Sequence, residues 1–262
     1  MSHPIDLQRR GTVAWLALAR PEVHNAFDAG LIGALNTVLD ALAADDGVRA
    51  LVLTGQGSTF SAGADLHWMR GMAKASEAEN LADSLELARL MRTLNFFPKP
   101  TIARVNGSAY GGGVGLVACC DIAIAVEGAK FSLSEAKLGL VPAVISPYVV
   151  AAIGSRNARK LFQTAEVFEA PEGARIGLLH RCVPAAELDE AVDRELHWLG
   201  KGGPIAQAEA KTLALRMGGM AREEAERIDA ENARLIARLR VSPEGQEGLG
   251  AFLDKRAPRW VG

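Results

Sequence analysis

Short runs of alternating apolar and polar residues and longer runs with helical spacing take turns along most of the chain. Val13, Trp15, Leu16 and Leu18 mark a strand over residues 12–18. Asp28 is placed to cap a helix whose apolar positions Leu31, Ile32, Leu35, Val38, Leu39 and Leu42 form one face. A second strand over 48–54 runs into Gly55 and Gly57. Ser76 and Glu79 form a capping-box pattern ahead of a long helix carrying Leu81, Leu85, Leu87, Leu90, Met91 and Leu94, which the segment from Phe97 to Pro100 stops. A strand over 101–105, a glycine cluster at 111–113 and a buried strand over 121–126 follow. Strands interleaved with helices predict an α/β core with covered sheet faces.

The pattern changes after Gly202 and Gly203, where residues 204–217, 221–240 and 242–254 give three helices and no strand signal, the last opened by Ser242 and Pro243. The chain therefore divides into a core over 1–200 and a helical region over 201–262. The middle helix carries Glu223, Glu224, Glu226, Arg227, Asp229, Glu231, Arg234, Arg238 and Arg240. It reads either as a solvated charged face or as part of an oligomer-forming lobe.

Composition narrows the function classes. At 262 residues, 49% hydrophobic and 23% charged, the chain has the profile of a globular protein with a substantial core. Aromatic residues are only 5%, which leaves little for stacking nucleic-acid bases, and a net charge of −2 provides no field to gather polyanions. Cys119, Cys120 and Cys182 lack metal-site spacing and read as reduced core thiols. No basic-then-apolar leader opens the sequence, and no apolar run approaches the roughly 18 residues a membrane span needs. The expectation is a cytoplasmic protein without nucleic-acid, membrane or metal partners.

Two glycine-containing loops each follow a strand. Neither the loop starting at Gly55 nor that from Gly111 to Gly115 completes a dinucleotide-binding or Walker pattern. Each alone reads as a tight strand-to-helix turn. Together, Phe60-Ser-Ala-Gly-Ala-Asp-Leu66 and Asn106-Gly-Ser-Ala-Tyr-Gly-Gly-Gly113 can direct backbone N–H groups at one carbonyl oxygen, with small side chains that let a thioester approach.

These segments, with Arg20-Pro-Glu-Val-His-Asn-Ala26, Cys120-Asp-Ile-Ala-Ile124, Ser134-Glu-Ala-Lys-Leu-Gly139 and Ala251-Phe-Leu-Asp-Lys-Arg256, resemble the enoyl-CoA hydratase/isomerase (crotonase) superfamily, collinearly from about residue 10 to 258. The resemblance implies a spiral of ββα repeats followed by a helical trimerisation region, with trimers often pairing into hexamers. It assigns the oxyanion donors to the backbone of Ala64 and Gly112, and the adenine and pantetheine path to Ala62, Asp65 and Leu66. His24 falls where a basic residue near the coenzyme A phosphates is usual, although a plain surface role stays open. Phe252 and Lys255 match a patch lent by the C-terminal helix, often from a neighbouring subunit. Coenzyme A enters only as part of the substrate.

Hydratases of this kind place two glutamates about the double bond. Glu135 matches the second, while Gly115 occupies the position of the first. A single-glutamate hydratase is therefore expected, with a generic enoyl-CoA hydratase, a double-bond isomerase and a non-catalytic acyl-CoA or RNA binder as alternatives. The segments from Gly139 through Pro142 to Tyr148 and from Gly113 to Asp121 look most like the 3-methylglutaconyl-CoA hydratase branch of leucine and acyclic-terpene breakdown. Such a substrate has a second carboxylate, for which His67, Arg70 and Tyr148 are candidate partners, Arg70 also reading as a surface residue and Tyr148 as a packed one.

Overall fold

The computed structural model describes residues 3–262. The chain opens with β1 (Ile5–Arg10), β2 (Val13–Leu18) and α1 (Ala29–Ala44). Three repeats follow. The first is β3 (Ala50–Gly55), β4 (Thr59–Ser61), α2 (Leu66–Lys74) and α3 (Glu77–Asn95). The second is β5 (Thr101–Val105), β6 (Ser108–Tyr110) and α4 (Gly112–Cys119). The third is β7 (Ile122–Val126), β8 (Lys130–Ser132), a 3₁₀ turn over Ser134–Leu138 and α5 (Ser146–Thr164). Next come β9 (Phe168–Glu169), α6 (Ala170–Ile176), β10 (Arg181–Val183), α7 (Leu188–Leu199), α8 (Pro204–Met217), α9 (Arg222–Val241) and α10 (Pro243–Leu253).

In each repeat the first strand joins one sheet and the second joins another. The large sheet has the order β1-β2-β3-β5-β7-β10, and the small one β4-β6-β8-β9. Strands of successive repeats pair in parallel, as Leu51 with Thr101 and Ile102 with Ile122. This is the expected spiral of ββα units, and it lines up the ends of β4, β6 and β8 on one side.

Period-two alternation explains why the large sheet is covered twice. Leu16, Leu51, Leu53, Ala103 and Ala123 enter the main core, whereas Trp15, Val52, Ile102 and Ile124 form a second cluster with Leu188, Ala191 and Val192 of α7. The predicted caps are present: Asp28 accepts from the Leu31 N–H, and Ser76 and Glu79 complete a capping box. β1 lacked a sequence signal because it is an edge strand paired only with β2, and its Leu7 is exposed.

The helices beyond residue 200 behave differently from one another. α8 buries none of its residues within the chain. α9 lays Ala225, Ala233, Ile236 and Ala237 against the rest of the protein, and its Asp229 meets Arg92 of α3 at 2.6 Å with only 4% of the side chain exposed. Ile236 and Leu249 of α10 belong to the main core, so the charged middle helix is more than a solvated face. No helix among the described residues is long and apolar enough to cross a membrane.

α10 docks on the 3₁₀ turn through backbone contact. A Cβ on Gly248 would lie 2.3 Å from the Leu138 carbonyl group. Gly248→Ala forces these backbones apart and should cost about 2–3 kcal/mol, lowering the melting temperature by several degrees. An unchanged thermal melt would contradict this docking.

Candidate active site

The first loop leaves β4 at Ser61 and enters α2. Phe27 donates to the Gly63 carbonyl at 2.6 Å and accepts from the Asp65 N–H at 2.8 Å. Successive N–H groups of extended backbone face opposite sides, so the Ala64 N–H between these bonds turns away from Phe27. Gly63 has φ of 84°, and a Cβ there would sit 2.9 Å from the Tyr110 carbonyl oxygen. Only glycine meets both demands.

Asp65 anchors this loop. Its carboxylate caps α2 by accepting from the N–H groups of His67 and Trp68, and it meets Arg20 at 3.1 Å. Burial works to raise the Asp65 pKa, but the two backbone donors and Arg20 outweigh it and hold the group below its ordinary value. Arg20 also pairs with Asp28 and donates to the Ala26 carbonyl, tying the segment around Phe27 to the loop.

The second loop leaves β6 at Tyr110. Gly111 donates its N–H to the Ser132 carbonyl at 3.0 Å, and Gly112 opens α4. The first N–H groups of a helix have no partner within it, and they lie at the positive end of the helix dipole. Gly112 packs on the Phe27 ring, where a Cβ would approach to 3.3 Å. Ala64 and Gly112 thus flank Phe27 and share one cavity.

Glu135 enters the same cavity from the 3₁₀ turn after β8, near enough to Gly111 that a Cβ there would be 3.2 Å from its Oε1. Its Oε2 is buried and has no hydrogen-bond partner. Loss of water raises its pKa from 4.5 to about 7, against a smaller lowering by a backbone N–H. A carboxyl poised near neutrality beside unpaired N–H donors is the arrangement for moving a proton next to a developing oxyanion.

The cavity has a volume of about 400 Å³. Its wall is largely apolar, with Phe27, Trp68, Met69, Met72, Ile145, Ile236 and Leu249, and it includes Ala62, Ala64, Gly112, Glu135, Pro142 and Phe252 from the residues expected in sequence. His24 is exposed, with Nδ1 at 3.0 Å from Thr59 Oγ1, and Leu66 and Lys255 are exposed as well. These three lie outside the cavity wall, and so does Asp65, whose carboxylate is committed to the cap and Arg20.

Three expectations for the acyl pocket are corrected. His67 and Arg70 are exposed and line no part of the cavity, because α2 turns Trp68, Met69 and Met72 inward and helical spacing carries the other two to the outer face. Tyr148 is 1% exposed in the core, with its hydroxyl buried and unpartnered, and it too is absent from the wall. Gly115 stands behind Ile145, whose Cγ2 would be 2.3 Å from an added Cβ, with Met91 Cε at 3.2 Å. The place of a second glutamate is filled by hydrocarbon. Sequence reasoning also missed Arg240, which it read only as one charge on the α9 face and which the fold brings into the cavity wall.

Ionising Glu135 is harder in the folded chain, since its pKa of about 7 exceeds the ordinary 4.5. Its contribution to stability is therefore fully present below pH 4.5 and is lost as pH rises through about 7. Glu135→Gln should melt a few degrees above the wild type at about pH 8, with the gap closing toward pH 5. A gap independent of pH in thermal melts would show that the carboxyl is not held in this state.

A family model described as enoyl-CoA hydratase/isomerase matches residues 8–262. The crystal structure of an enoyl-CoA hydratase from Shewanella pealeana ATCC 700345 superposes with a TM-score of 0.81 at 45% identity, covering 98% of this chain and 96% of that one. The 2,3-dehydroadipyl-CoA hydratase of Escherichia coli (strain K12) is 32% identical over 98% of each chain. The crotonyl-CoA hydratase of Syntrophomonas wolfei is 31% identical over 98% of this chain and 97% of its own.

Proposed function

The chain belongs to the enoyl-CoA hydratase/isomerase family and is an enzyme of the enoyl-CoA hydratase type, and we propose that it adds water to its acyl-CoA thioester with Glu135 as the only acid–base group. The observation that carries this reading is the Glu135 carboxyl, its buried Oε2 unpartnered, in one cavity with Ala64 and Gly112, while hydrocarbon fills the space beside Gly115.

The thioester oxygen of an enoyl-CoA sits between the N–H groups of Ala64 and Gly112. The Glu135 carboxylate takes a proton from water as the water oxygen bonds to C3. The C2–C3 π electrons shift toward the carbonyl, giving an enolate that the two N–H groups and the start of α4 stabilise. Protonated Glu135 then delivers its proton to C2, which restores the carboxylate. Coenzyme A is the carrier portion of the substrate, and water, Glu135 and substrate account for every proton and electron pair in the step.

For the acyl group we put forward 3-methylglutaconyl-CoA. Support comes from the segments 113–121 and 139–148 and from a relative named for 2,3-dehydroadipyl-CoA, which also carries a distal carboxylate. Crotonyl-CoA suits the donors and the glutamate equally well, so the preference must come from the far end of the pocket. The same carboxyl can shuttle a proton between C2 and C4, and incorporation of ¹⁸O from labelled water separates hydration from isomerisation. Assembly as a trimer or a pair of trimers is part of the same reading, with Ile205, Leu213 and Met217 of α8 exposed in the single chain.

Loss of enoyl absorbance should be fastest for 3-methylglutaconyl-CoA in a panel with isohexenylglutaconyl-CoA and crotonyl-CoA. Crotonyl-CoA as the preferred substrate would overturn the acyl assignment and leave the hydratase. Because the ionised carboxyl starts the reaction, kcat/KM should rise with pH through about 7 and then level. Glu135→Gln should lower kcat about 1,000-fold or more while acyl-CoA still binds, and near-normal turnover would sink the single-glutamate mechanism.

A further inference from the structure

One cation in the cavity wall has donors to spare. Arg240, near the C-terminal end of α9, has only 13% of its side chain exposed. Its Nη1 alone makes the recorded contacts: Asp83 Oδ2 at 3.1 Å, Asn80 Oδ1 at 3.2 Å and Ser84 Oγ at 3.4 Å, all from α3. Nε and Nη2 donate to no group among the described residues. Asp83 is itself held by the Trp68 indole N–H at 3.0 Å, and the guanidinium lies 5.7 Å from the Trp68 ring centroid. The guanidinium is thus fixed from one side, and its other edge has no protein partner.

That edge is the one that grips a carboxylate in a fork. Arg175 in this same chain uses Nε and Nη2 to hold both oxygens of Glu172, at 2.6 and 2.7 Å. The other wall cations differ. Arg256 spends both Nη groups on Glu247, and Lys137 is exposed to solvent. Apart from its polar contacts on α3, Arg240 shares the cavity wall with hydrocarbon and indole side chains, including Trp68, Met72, Leu87 and Ile236. A guanidinium edge with no protein partner is free to pair with an anion that reaches it.

We propose that Arg240 forms a carboxylate-binding subsite for the distal end of the acyl chain, so that the cavity selects acyl-CoA thioesters of dicarboxylic acids. The proposal rests on the reading of the cavity as an acyl-CoA site and supplies the group that His67, Arg70 and Tyr148 do not. Asp83, Asn80 and Ser84 act as positioning residues, holding the fork before substrate arrives.

Saturated thioesters test the subsite without chemistry. Glutaryl-CoA should bind the wild type about tenfold or more tightly than pentanoyl-CoA, in which a methyl group replaces the carboxylate, as read by calorimetry. Arg240→Met should bring that ratio to within about threefold of one, and Arg240→Lys, which keeps the charge without the fork, should fall between. Thermal melts establish that each variant is folded, and the lysine variant carries the test if the methionine variant is not. A wild type with no preference for glutaryl-CoA overturns the subsite, as does a folded Arg240→Met that keeps the preference. Turnover of unsaturated thioesters is a separate readout. Wild-type protein that prefers glutaryl-CoA but hydrates no enoyl-CoA would refute the hydratase mechanism and support the subsite.

Discussion

Glu135 presents a buried, unpartnered Oε2 at a place where backbones approach too closely to carry ordinary side chains. Gly63 stands against the Tyr110 carbonyl, Gly111 against the Glu135 carboxyl, and Gly248 against Leu138 of the turn that bears Glu135. Each contact leaves no room for a larger side chain at that glycine. Beside these glycines stand a carboxyl whose pKa burial raises to about 7 and backbone N–H groups that no protein acceptor takes up.

The rest of the molecule maintains that approach. Successive repeats send β4, β6 and β8 into one small sheet, so the loops that follow them converge. Arg20 joins Asp65, Asp28 and the Ala26 carbonyl, which keeps Phe27 between the two donor loops. Phe27 is 1% exposed and touches both loops, Gly63 and Asp65 by backbone hydrogen bonds and Gly112 by its ring. A site made of main-chain donors is only as exact as the packing behind it.

Two of the C-terminal helices, α9 and α10, contribute to the cavity wall. α9 lies on α3 through small residues and the Arg92–Asp229 pair, and this contact carries Arg240 onto Asn80, Asp83 and Ser84. α10 closes another wall with Gly248, Leu249 and Phe252. A charge that is unremarkable along a helix thereby becomes part of a largely apolar cavity wall.

Local signals made much of this legible in the sequence. Alternation, caps and proline stops marked the strands and helices of the spiral, because those features act within a few residues of one another. The glycine loops were visible as strand-to-helix turns, and Glu135 through the family resemblance that the motifs along the chain carry. What the sequence left open was decided by residues distant in the chain. β1 is an edge strand that only pairing reveals, and the rotation of α2 sends Trp68 inward and Arg70 outward. Ile145, thirty residues beyond Gly115, closes the space of a second carboxylate. Asp83, far from Arg240 in sequence, fixes one nitrogen of its guanidinium in the cavity wall. Residue types and their spacing determined which chemistry the chain can perform; only tertiary packing decided which groups lose water and face one another, because burial is a property of the whole fold.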